Sequence, residues 1–211
     1  MEESVRVVHF GHACVLLDTG STRILIDPGT FSAGFEDLED LDAVLITHQH
    51  FDHLDVEKLP GLLEANPRAQ LVVDEGSAPS VENPTVARPG DVLKIGDTTV
   101  KAVGGQHAII HRDIPVIPNT GYLVGDGAFY HPGDALFVPD EDVDVLGLPS
   151  GAPWMRTGEA VDFMRAVKPR VAVPIHEAVL AMPQMAYHHF QNLKPEGTEV
   201  RPLPRGEETE V

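Results

Sequence analysis

Three imidazoles and one carboxylate fall within six residues of this sequence, in the run His48-Gln49-His50-Phe51-Asp52-His53. In an extended segment, alternate side chains share a face, so His48 and His50 point the same way. A turn later in the run would bring Asp52 and His53 to a neighbouring position. Burying these groups without partners would cost several kcal/mol, whereas neutral imidazole and carboxylate suit zinc, iron or manganese. The pattern therefore predicts a metal site, against the alternative of a solvated loop that happens to be rich in histidine.

The elements that would position this run are short strands separated by turns. Its histidines directly follow a buried apolar strand, and many glycines and prolines indicate frequent turns. The apolar pattern predicts strands at Val5–Phe10, Cys14–Leu17, Arg23–Ile26, Ala43–Ile46, Gln70–Val73, Val92–Ile95, Thr99–Val103, Gly121–Val124, Ala128–Tyr130, Val143–Leu148 and Val171–Ile175. Helical spacing predicts helices at Asp55–Glu64 and Gly158–Val167.

The second half of the chain repeats the plan of the first. Asp27-Pro28-Gly29 is paralleled by the turn at His131-Pro132-Gly133-Asp134, and the two predicted helices end before Asn66-Pro67 and Lys168-Pro169. Two such strand-rich units must bury their apolar sheet faces against each other. We therefore expect one α/β domain over residues 1–211, a four-layer αββα sandwich of two pseudo-repeated halves, approximately 1–105 and 106–211.

Composition narrows the partners and the compartment. Acidic residues outnumber basic ones 33 to 15, for a formal net charge of -18, and a field of that sign repels nucleic acid and anionic membranes. No stretch approaches the roughly 18 apolar residues of a membrane span, and the start of the chain lacks a secretory pattern. The single cysteine, Cys14, suggests a reducing compartment. These features favour a cytoplasmic location, and we read the acidic segment from Arg205 to Val211 as a solvated end.

Together, these motifs resemble the signature of the metallo-β-lactamase superfamily, whose fold is the αββα sandwich. The resemblance extends in order across most of the chain, and its branch containing ascorbate-6-phosphate lactonase and N-acyl phosphatidylethanolamine phospholipase D is the most similar. The segments that carry it, besides the histidine run, are Gly11-His12-Ala13, Ile24-Leu25-Ile26-Asp27-Pro28, Gly105-Gln106-His107, Tyr130-His131-Pro132-Gly133-Asp134 and Val173-Pro174-Ile175-His176.

The resemblance implies a site for two divalent metal ions, for which we expect zinc, with manganese or iron as alternatives. It implies that the first ion is held by His48, His50 and His107, and that Asp134 is shared between the ions. It implies that the second ion is held by the remaining ligands, Asp52, His53 and His176. Two cations about 3.5–4 Å apart can hold a hydroxide that attacks a carbonyl or phosphoryl centre. Asp52 and Asp134 are the residues to which the resemblance gives catalytic roles.

Several other residues are candidates for positions around the metals. The resemblance places Asp27 behind a ligating imidazole as its hydrogen-bond acceptor. His12 lies near the site by resemblance, with a structural histidine as the equal alternative, and we expect His131 in the cleft or behind the ligands. His111 could replace His107 as ligand. By the internal repeat, the loop containing Trp154 should lie across the cleft, where the indole either contacts substrate or packs in the core.

The function that we expect is hydrolysis of a small ester, lactone or phosphodiester by a metal-bound hydroxide. The substrate would be a small molecule, and it could be anionic if the cations dominate the local potential. The alternative is a mononuclear iron oxidoreductase of the dioxygenase type on the same fold. Diiron oxygen reductases that resemble this fold carry a glutamate where this chain has His50. A homo-oligomer would be compatible with the sequence.

Overall fold

The computed structural model describes residues 5–211, and the strands in this range form two seven-stranded sheets. The first sheet has the order β14-β1-β2-β3-β4-β5-β6. Its strands are β1 (Arg6–His9), β2 (Val15–Asp18), β3 (Arg23–Ile26), β4 (Ala43–Ile46), β5 (Gln70–Val73), β6 (Thr85–Val86) and β14 (Glu208–Glu210).

The second sheet has the order β13-β12-β11-β10-β9-β8-β7. Its strands are β7 (Val92–Ile95), β8 (Thr98–Gln106), β9 (Pro118–Val124), β10 (Phe129–His131), β11 (Val145–Pro149), β12 (Val171–Ile175) and β13 (Glu199–Val200). The helices are α1 (Leu59–Ala65), α2 (Thr157–Val167) and α3 (Pro183–Leu193), and a single 3₁₀ turn spans Ala78–Ser80.

Three hydrophobic clusters show how these elements form layers. The central cluster joins side chains of both sheets, such as Leu45 of β4 and Val173 of β12. A second cluster packs the other face of the first sheet, including Val44, against α1. A third packs the other face of the second sheet, including Ala172, against α2 and α3. Neighbouring residues of one strand thus enter different layers, and the chain forms the αββα sandwich that the sequence predicts.

Both sheets follow the same series of connections. In each, antiparallel strands lead into parallel ones: β1, β2 and β3 precede the parallel pairs β3-β4 and β4-β5, while β8, β9 and β10 precede β10-β11 and β11-β12. The predicted internal repeat would account for this shared series. The chain passes from the first sheet to the second between Val86 and Val92, whereas the sequence predicts a boundary between halves near residue 105. The hairpin β7-β8 pairs with β9, so it belongs to the second sheet.

The ends of the predicted elements needed some correction. The first helix begins at Leu59 and not at Asp55, because the Asp55 carboxylate accepts hydrogen bonds from the N–H groups of Glu57 and Lys58 and forms a turn there. The sequence analysis missed α3. The acidic end is also not a free tail, because β14 pairs antiparallel with β1 and Val211 is buried. In residues 5–211, no helix is long and apolar enough for a membrane crossing.

One buried hydroxyl ties the two sheets together behind the candidate site. Tyr122 of β9 is fully buried in the central cluster, and its hydroxyl donates a 2.8 Å hydrogen bond to the carbonyl of Ile46 at the end of β4. This bond fixes the strand end from which the histidine run leaves. An unpaired carbonyl in this position would carry a desolvation cost.

We expect Tyr122→Phe to lower the free energy of unfolding by about 1–2 kcal/mol, because the ring remains while the Ile46 carbonyl loses its donor. Urea unfolding under identical metal conditions measures the change. The matched control is Tyr187→Phe on α3, where the half-buried ring should make the change smaller than about 0.5 kcal/mol. Equal effects of the two substitutions would contradict this role of Tyr122.

Candidate metal centre

The candidate residues leave each sheet at a single edge. In the first sheet, β1, β3 and β4 run in the same direction, and His12, Asp27 and His48 follow their carboxyl ends. In the second sheet, β8, β10 and β12 share a direction. The residues that follow these three strands are His107, Asp134 and His176.

Hydrogen bonds across the layers bring these two edges together. The Thr120 N–H donates to the Thr47 carbonyl at 2.8 Å. His131 Nε2 donates to the Ala13 carbonyl, also at 2.8 Å. Side chains that follow strands of both sheets therefore converge at one end of the sandwich.

The first group of candidate ligands is His48, His50, His107 and Asp134, which we call the first cluster. One ligand atom from each lies within 4.8 Å of all the others. His48 Nε2 is 3.1 Å from His50 Nδ1, and His107 Nε2 is 3.4 Å from Asp134 Oδ2. Two ligand atoms each about 2.1 Å from a tetrahedral zinc ion are separated by about 3.4 Å, so these spacings fit one cation.

The second cluster is formed by His12, Asp52, His53 and His176, whose ligand atoms also lie within 4.8 Å of one another. Asp52 Oδ2 is 3.0 Å from His12 Nε2, 3.9 Å from His53 Nε2 and 3.7 Å from His176 Nε2. The spacing again fits a cation. The second cluster thus contains His12 in addition to the three residues that the sequence predicts for the second ion.

Asp134 faces both clusters with different oxygens. Its Oδ1 lies 3.1 Å from His53 Nε2 and 3.0 Å from His176 Nε2. Its Oδ2 lies near His107 and also accepts a 2.8 Å hydrogen bond from Trp154 Nε1–H. This is the arrangement required of a carboxylate shared between two ions.

The site contains buried polar atoms that protein hydrogen bonds do not satisfy. In the described part of the chain, His53 Nε2, His107 Nε2, His176 Nε2 and Asp134 Oδ1 are buried without a hydrogen-bond partner, as is His12 Nδ1. Buried polar groups of this kind are costly unless something binds them. Because the three Nε2 atoms and Asp134 Oδ1 converge on the two clusters, divalent cations fit them.

The opposite ring nitrogens of the ligating histidines are held by acceptors. His53 Nδ1–H donates to Asp27 Oδ2 at 2.7 Å, His107 Nδ1–H to the Ala108 carbonyl at 2.6 Å, and His176 Nδ1–H to the Gly151 carbonyl at 2.7 Å. A hydrogen bond at one ring nitrogen selects the tautomer whose other nitrogen carries a lone pair. In these three residues, Nε2 is therefore left to bind a metal.

Asp27 holds the start of the histidine run in place through hydrogen bonds to its carboxylate. Its carboxylate is fully buried and accepts hydrogen bonds of 2.7 Å from the Thr47 N–H and the Thr47 hydroxyl, besides the bond from His53. The Thr47 hydroxyl also lies 3.0 Å from His48 Nδ1, which can donate to it. Asp27 thus lies behind His53, a candidate ligand of the second cluster, as its hydrogen-bond acceptor.

Burial and charge set the protonation of the site. Burial lowers the pKa of His48 well below its usual value, so the imidazole is neutral and able to coordinate a metal. Burial alone would lower the pKa of His53 and raise that of Asp134. Their mutual attraction, with that of Asp27 for His53, shifts both the other way. A divalent cation bound here would replace the His53 proton as the positive charge beside the Asp134 carboxylate.

Asp52 stays ionised throughout the physiological range. Burial, the largest influence, raises its pKa, but the hydrogen bond from His12 and the charge of His53 outweigh burial and lower the pKa to about 2. The carboxylate can therefore ligate a cation or accept a hydrogen bond from water. It would hold a proton only briefly at neutral pH.

His12 and Glu177 form a connection that the sequence did not reveal. His12 adopts a left-handed backbone with φ of 52°, and its N–H donates to Glu177 Oε1 at 3.0 Å. Its carbonyl accepts a hydrogen bond from the N–H of His176 at 2.8 Å. Because His176 is also left-handed, with φ of 60°, the strand ends there. Glu177 lies beyond the end of β12, from where its carboxylate reaches the His12 N–H.

The remaining predicted residues differ in their position relative to the two clusters. His131 is fully buried and uses both ring nitrogens in hydrogen bonds, to Ala13 and from Gly133, so it fastens the layers together and belongs to neither cluster. Trp154 touches the shared carboxylate, as described above. His107 joins the first cluster, whereas the exposed side chain of His111 lies beside Asp113.

Asn119 supports Asp134 and was not anticipated. Its side-chain oxygen accepts the Asp134 N–H at 3.0 Å, and its amide donates to the Pro132 carbonyl at 2.9 Å. The turn between them needs Gly133, which has φ of 62° and where a Cβ would lie 2.3 Å from Asn119 Oδ1. Asn119 lies far from Asp134 in sequence, and no motif marks it.

A family model described as a beta-lactamase superfamily domain matches residues 6–176. Protein Rv0786c of Mycobacterium tuberculosis is 56% identical over 182 residues, which cover 84% of this chain and 86% of that protein. A UPF0173 metal-dependent hydrolase of Pyrobaculum islandicum is 30% identical over 188 residues, covering 79% and 81% of the two chains.

A solved structure agrees with the architecture. Igni18, a metallo hydrolase from the hyperthermophilic archaeon Ignicoccus hospitalis, superposes with a TM-score of 0.77 and covers 98% of this chain and 97% of its own. The sequence identity is 22%, so this likeness supports the fold alone.

Gly29 provides a test of how backbone packing positions the second cluster. A Cβ at Gly29 would lie 1.8 Å from the Asp52 carbonyl oxygen and 2.5 Å from the His53 nitrogen. We expect Gly29→Ala to displace both residues and weaken binding of one metal equivalent by about 10-fold or more, as changes behind ligands do. Titration with zinc against a chromogenic chelator measures this affinity.

The control is Gly61→Ala on α1, where a Cβ would meet no heavy atom within 4 Å. Alanine is the better helix former by roughly 1 kcal/mol, so this variant should bind metal as the unmodified protein does and unfold at slightly higher denaturant. If Gly29→Ala binds both equivalents with unchanged affinity, the close packing under Asp52 does not position the ligands.

Proposed function

The chain belongs to the metallo-β-lactamase superfamily and is a metal-dependent hydrolase, and from this premise we propose that it uses two divalent cations to cleave a small ester, lactone or phosphodiester. The observation that carries the proposal is the position of Asp134. Each carboxylate oxygen points toward a different group of imidazoles. If the site held a single ion, the buried candidate ligand atoms of one cluster would have no metal to bind.

The first cluster would hold one ion through His48, His50 and His107, and the second would hold the other through Asp52, His53 and His176, with His12 beside them. Zinc is the ion that we expect, since imidazole and carboxylate at these spacings suit it. When bound, the cations polarise the scissile group and lower the pKa of water. The protein contributes a preorganised set of ligands whose tautomers and orientations are fixed in advance.

Asp52 would orient the attacking water. Its carboxylate is ionised, and Oδ2 already accepts a hydrogen bond from His12. The pKa of about 2 makes this carboxylate a weak base, so a role in positioning the nucleophile fits Asp52 better than general-base catalysis. Trp154 would hold the shared carboxylate at its other oxygen.

Metal content and turnover measured on the same preparation test the proposal. The assay pairs mass-spectrometric metal analysis with hydrolysis of a lactone panel and of bis(4-nitrophenyl) phosphate. Two zinc or manganese ions per chain with turnover would support it. One iron per chain, oxygen consumption and no hydrolysis would instead identify the mononuclear iron oxidoreductase.

His50→Ala should lower metal affinity and kcat/KM by at least about 10-fold, as expected when an imidazole facing the first cluster is removed. Equilibrium dialysis and initial rates measure the two effects. The matched control is His111→Ala, because His111 is exposed and outside both clusters. Loss of metal from the His111 variant, with normal binding in the His50 variant, would reverse the assignment.

Trp154→Phe removes the N–H donor to Asp134 while keeping an aromatic ring beside His107. Losing a hydrogen bond of about 1–1.5 kcal/mol should lower kcat by about 5–10-fold with two metal equivalents still bound. Metal titration measures the number of bound metal equivalents, and steady-state kinetics measures kcat. A change confined to KM would show that the indole contacts substrate and does not position the carboxylate.

A further inference from the structure

We infer that the substrate carries an uncharged aliphatic group beside its scissile bond, and that this group occupies a small apolar cavity next to the first cluster. The inference rests on the proposed function of the same centre. The cavity is bounded on one side by His50 and His107. Its opposite wall, which we call the aliphatic wall, consists of Ile110, Ile114, Pro115, Val116 and Ile117.

The aliphatic wall is fixed relative to the metal ligands. It lies in the segment between β8 and β9, which begins at a candidate ligand, and the His107 N–H donates to the Ile117 carbonyl at 3.0 Å. The Ala108 N–H donates to the Asp134 carbonyl at 2.8 Å. Both ends of the segment are thus tied to the residues that face the first ion. A group bound in the cavity would be held at a defined distance from the attacked atom.

The side chains of the aliphatic wall favour apolar groups of a bound molecule. Ile114 is 48% exposed and Val116 is 45% exposed, although both lie next to a strongly polar centre. Exposed aliphatic side chains that line a concavity are typical of ligand-binding surfaces.

The charges around the cavity disfavour an anionic substrate group at this position. No lysine or arginine lines the cavity. Arg112, on the same segment, is 86% exposed, and its Nε lies 3.7 Å from Asp113 Oδ1. The formal net charge of -18 adds a repulsive field. The cations can attract the oxygen of a scissile group, but a carboxylate or phosphate in the cavity would be desolvated without a counter-charge.

Two 4-nitrophenyl esters with the same leaving group test the preference on the metal-loaded protein. One is the neutral isovalerate and the other is the hydrogen succinate, whose acyl chain ends in a carboxylate. We expect kcat/KM to favour isovalerate by at least about 10-fold after correction for the uncatalysed rates. Ile114→Lys should reduce this ratio by at least about 10-fold, because it places a cation in the wall.

Ile109→Lys is the matched control. Ile109 is 67% exposed on the same segment but does not line the cavity, so the substitution adds the same charge with the ratio retained. A preference for the succinate, or equal ratios in the two lysine variants, would overturn the inference while the hydrolase proposal stands.

A binding measurement keeps the inference separate from the choice of ester. Trp154 is the only tryptophan, and its ring centroid lies 6.0 Å from that of His107, so its fluorescence reports on the cavity. Isovaleramide should produce a saturable change in the unmodified protein and in Ile109→Lys, with binding at least about 10-fold weaker in Ile114→Lys. Failure of every ester, lactone and phosphodiester to react would overturn the proposed function. Absence of saturable isovaleramide binding would overturn the cavity assignment.

Discussion

A buried carboxylate, that of Asp27, constrains the whole metal centre. A charge with no exposure to solvent must be matched by donors, because desolvation would otherwise destabilise the fold. Asp27 finds them in the Thr47 backbone N–H, the Thr47 hydroxyl and His53 Nδ1, each at 2.7 Å. Its own left-handed backbone, with φ of 51°, ends β3 and turns the carboxylate under the neighbouring strand. The charge requirement of one side chain thereby sets the direction in which the histidine run leaves β4.

Hydrogen bonds also fix the rings of the histidines that face the proposed cations. Fixing Nδ1 of His53, His107 and His176 leaves each Nε2 buried without a donor or acceptor role in the protein. Asp134 Oδ1 lies 3.1 Å from His53 Nε2 and 3.0 Å from His176 Nε2 without forming a hydrogen bond to either. The site therefore requires positive charge. Its preorganised side chains favour metal binding over collapse of the site onto itself.

The histidine run could be recognised from the sequence because its three imidazoles and one carboxylate are local and directly follow one apolar strand. Asp27, Asp134 and His176 are distant from it in sequence, and only their resemblance to motifs of the metallo-β-lactamase superfamily placed them at the same site. His12 in the second cluster, Glu177 and Asn119 were different. Their roles depend on left-handed turns at His12 and His176 and on long-range hydrogen bonds, which no local pattern specifies. The acidic end misled for a similar reason, since its pairing with β1 depends on distant residues.

In the proposed function, the polar and apolar parts of the site bind different parts of the substrate. This would allow a strongly acidic protein to act on a substrate held by cations. The attraction of bound cations would be largely screened beyond about 8–10 Å at physiological ionic strength. The aliphatic wall lies within that distance, beside His50 and His107, and would favour the uncharged part of a substrate. Because the Ala108 N–H bonds to the Asp134 carbonyl, the wall and the shared carboxylate belong to one rigid unit. In the proposed function, this one backbone contact would therefore influence both which substrate group binds and where the attacked atom lies.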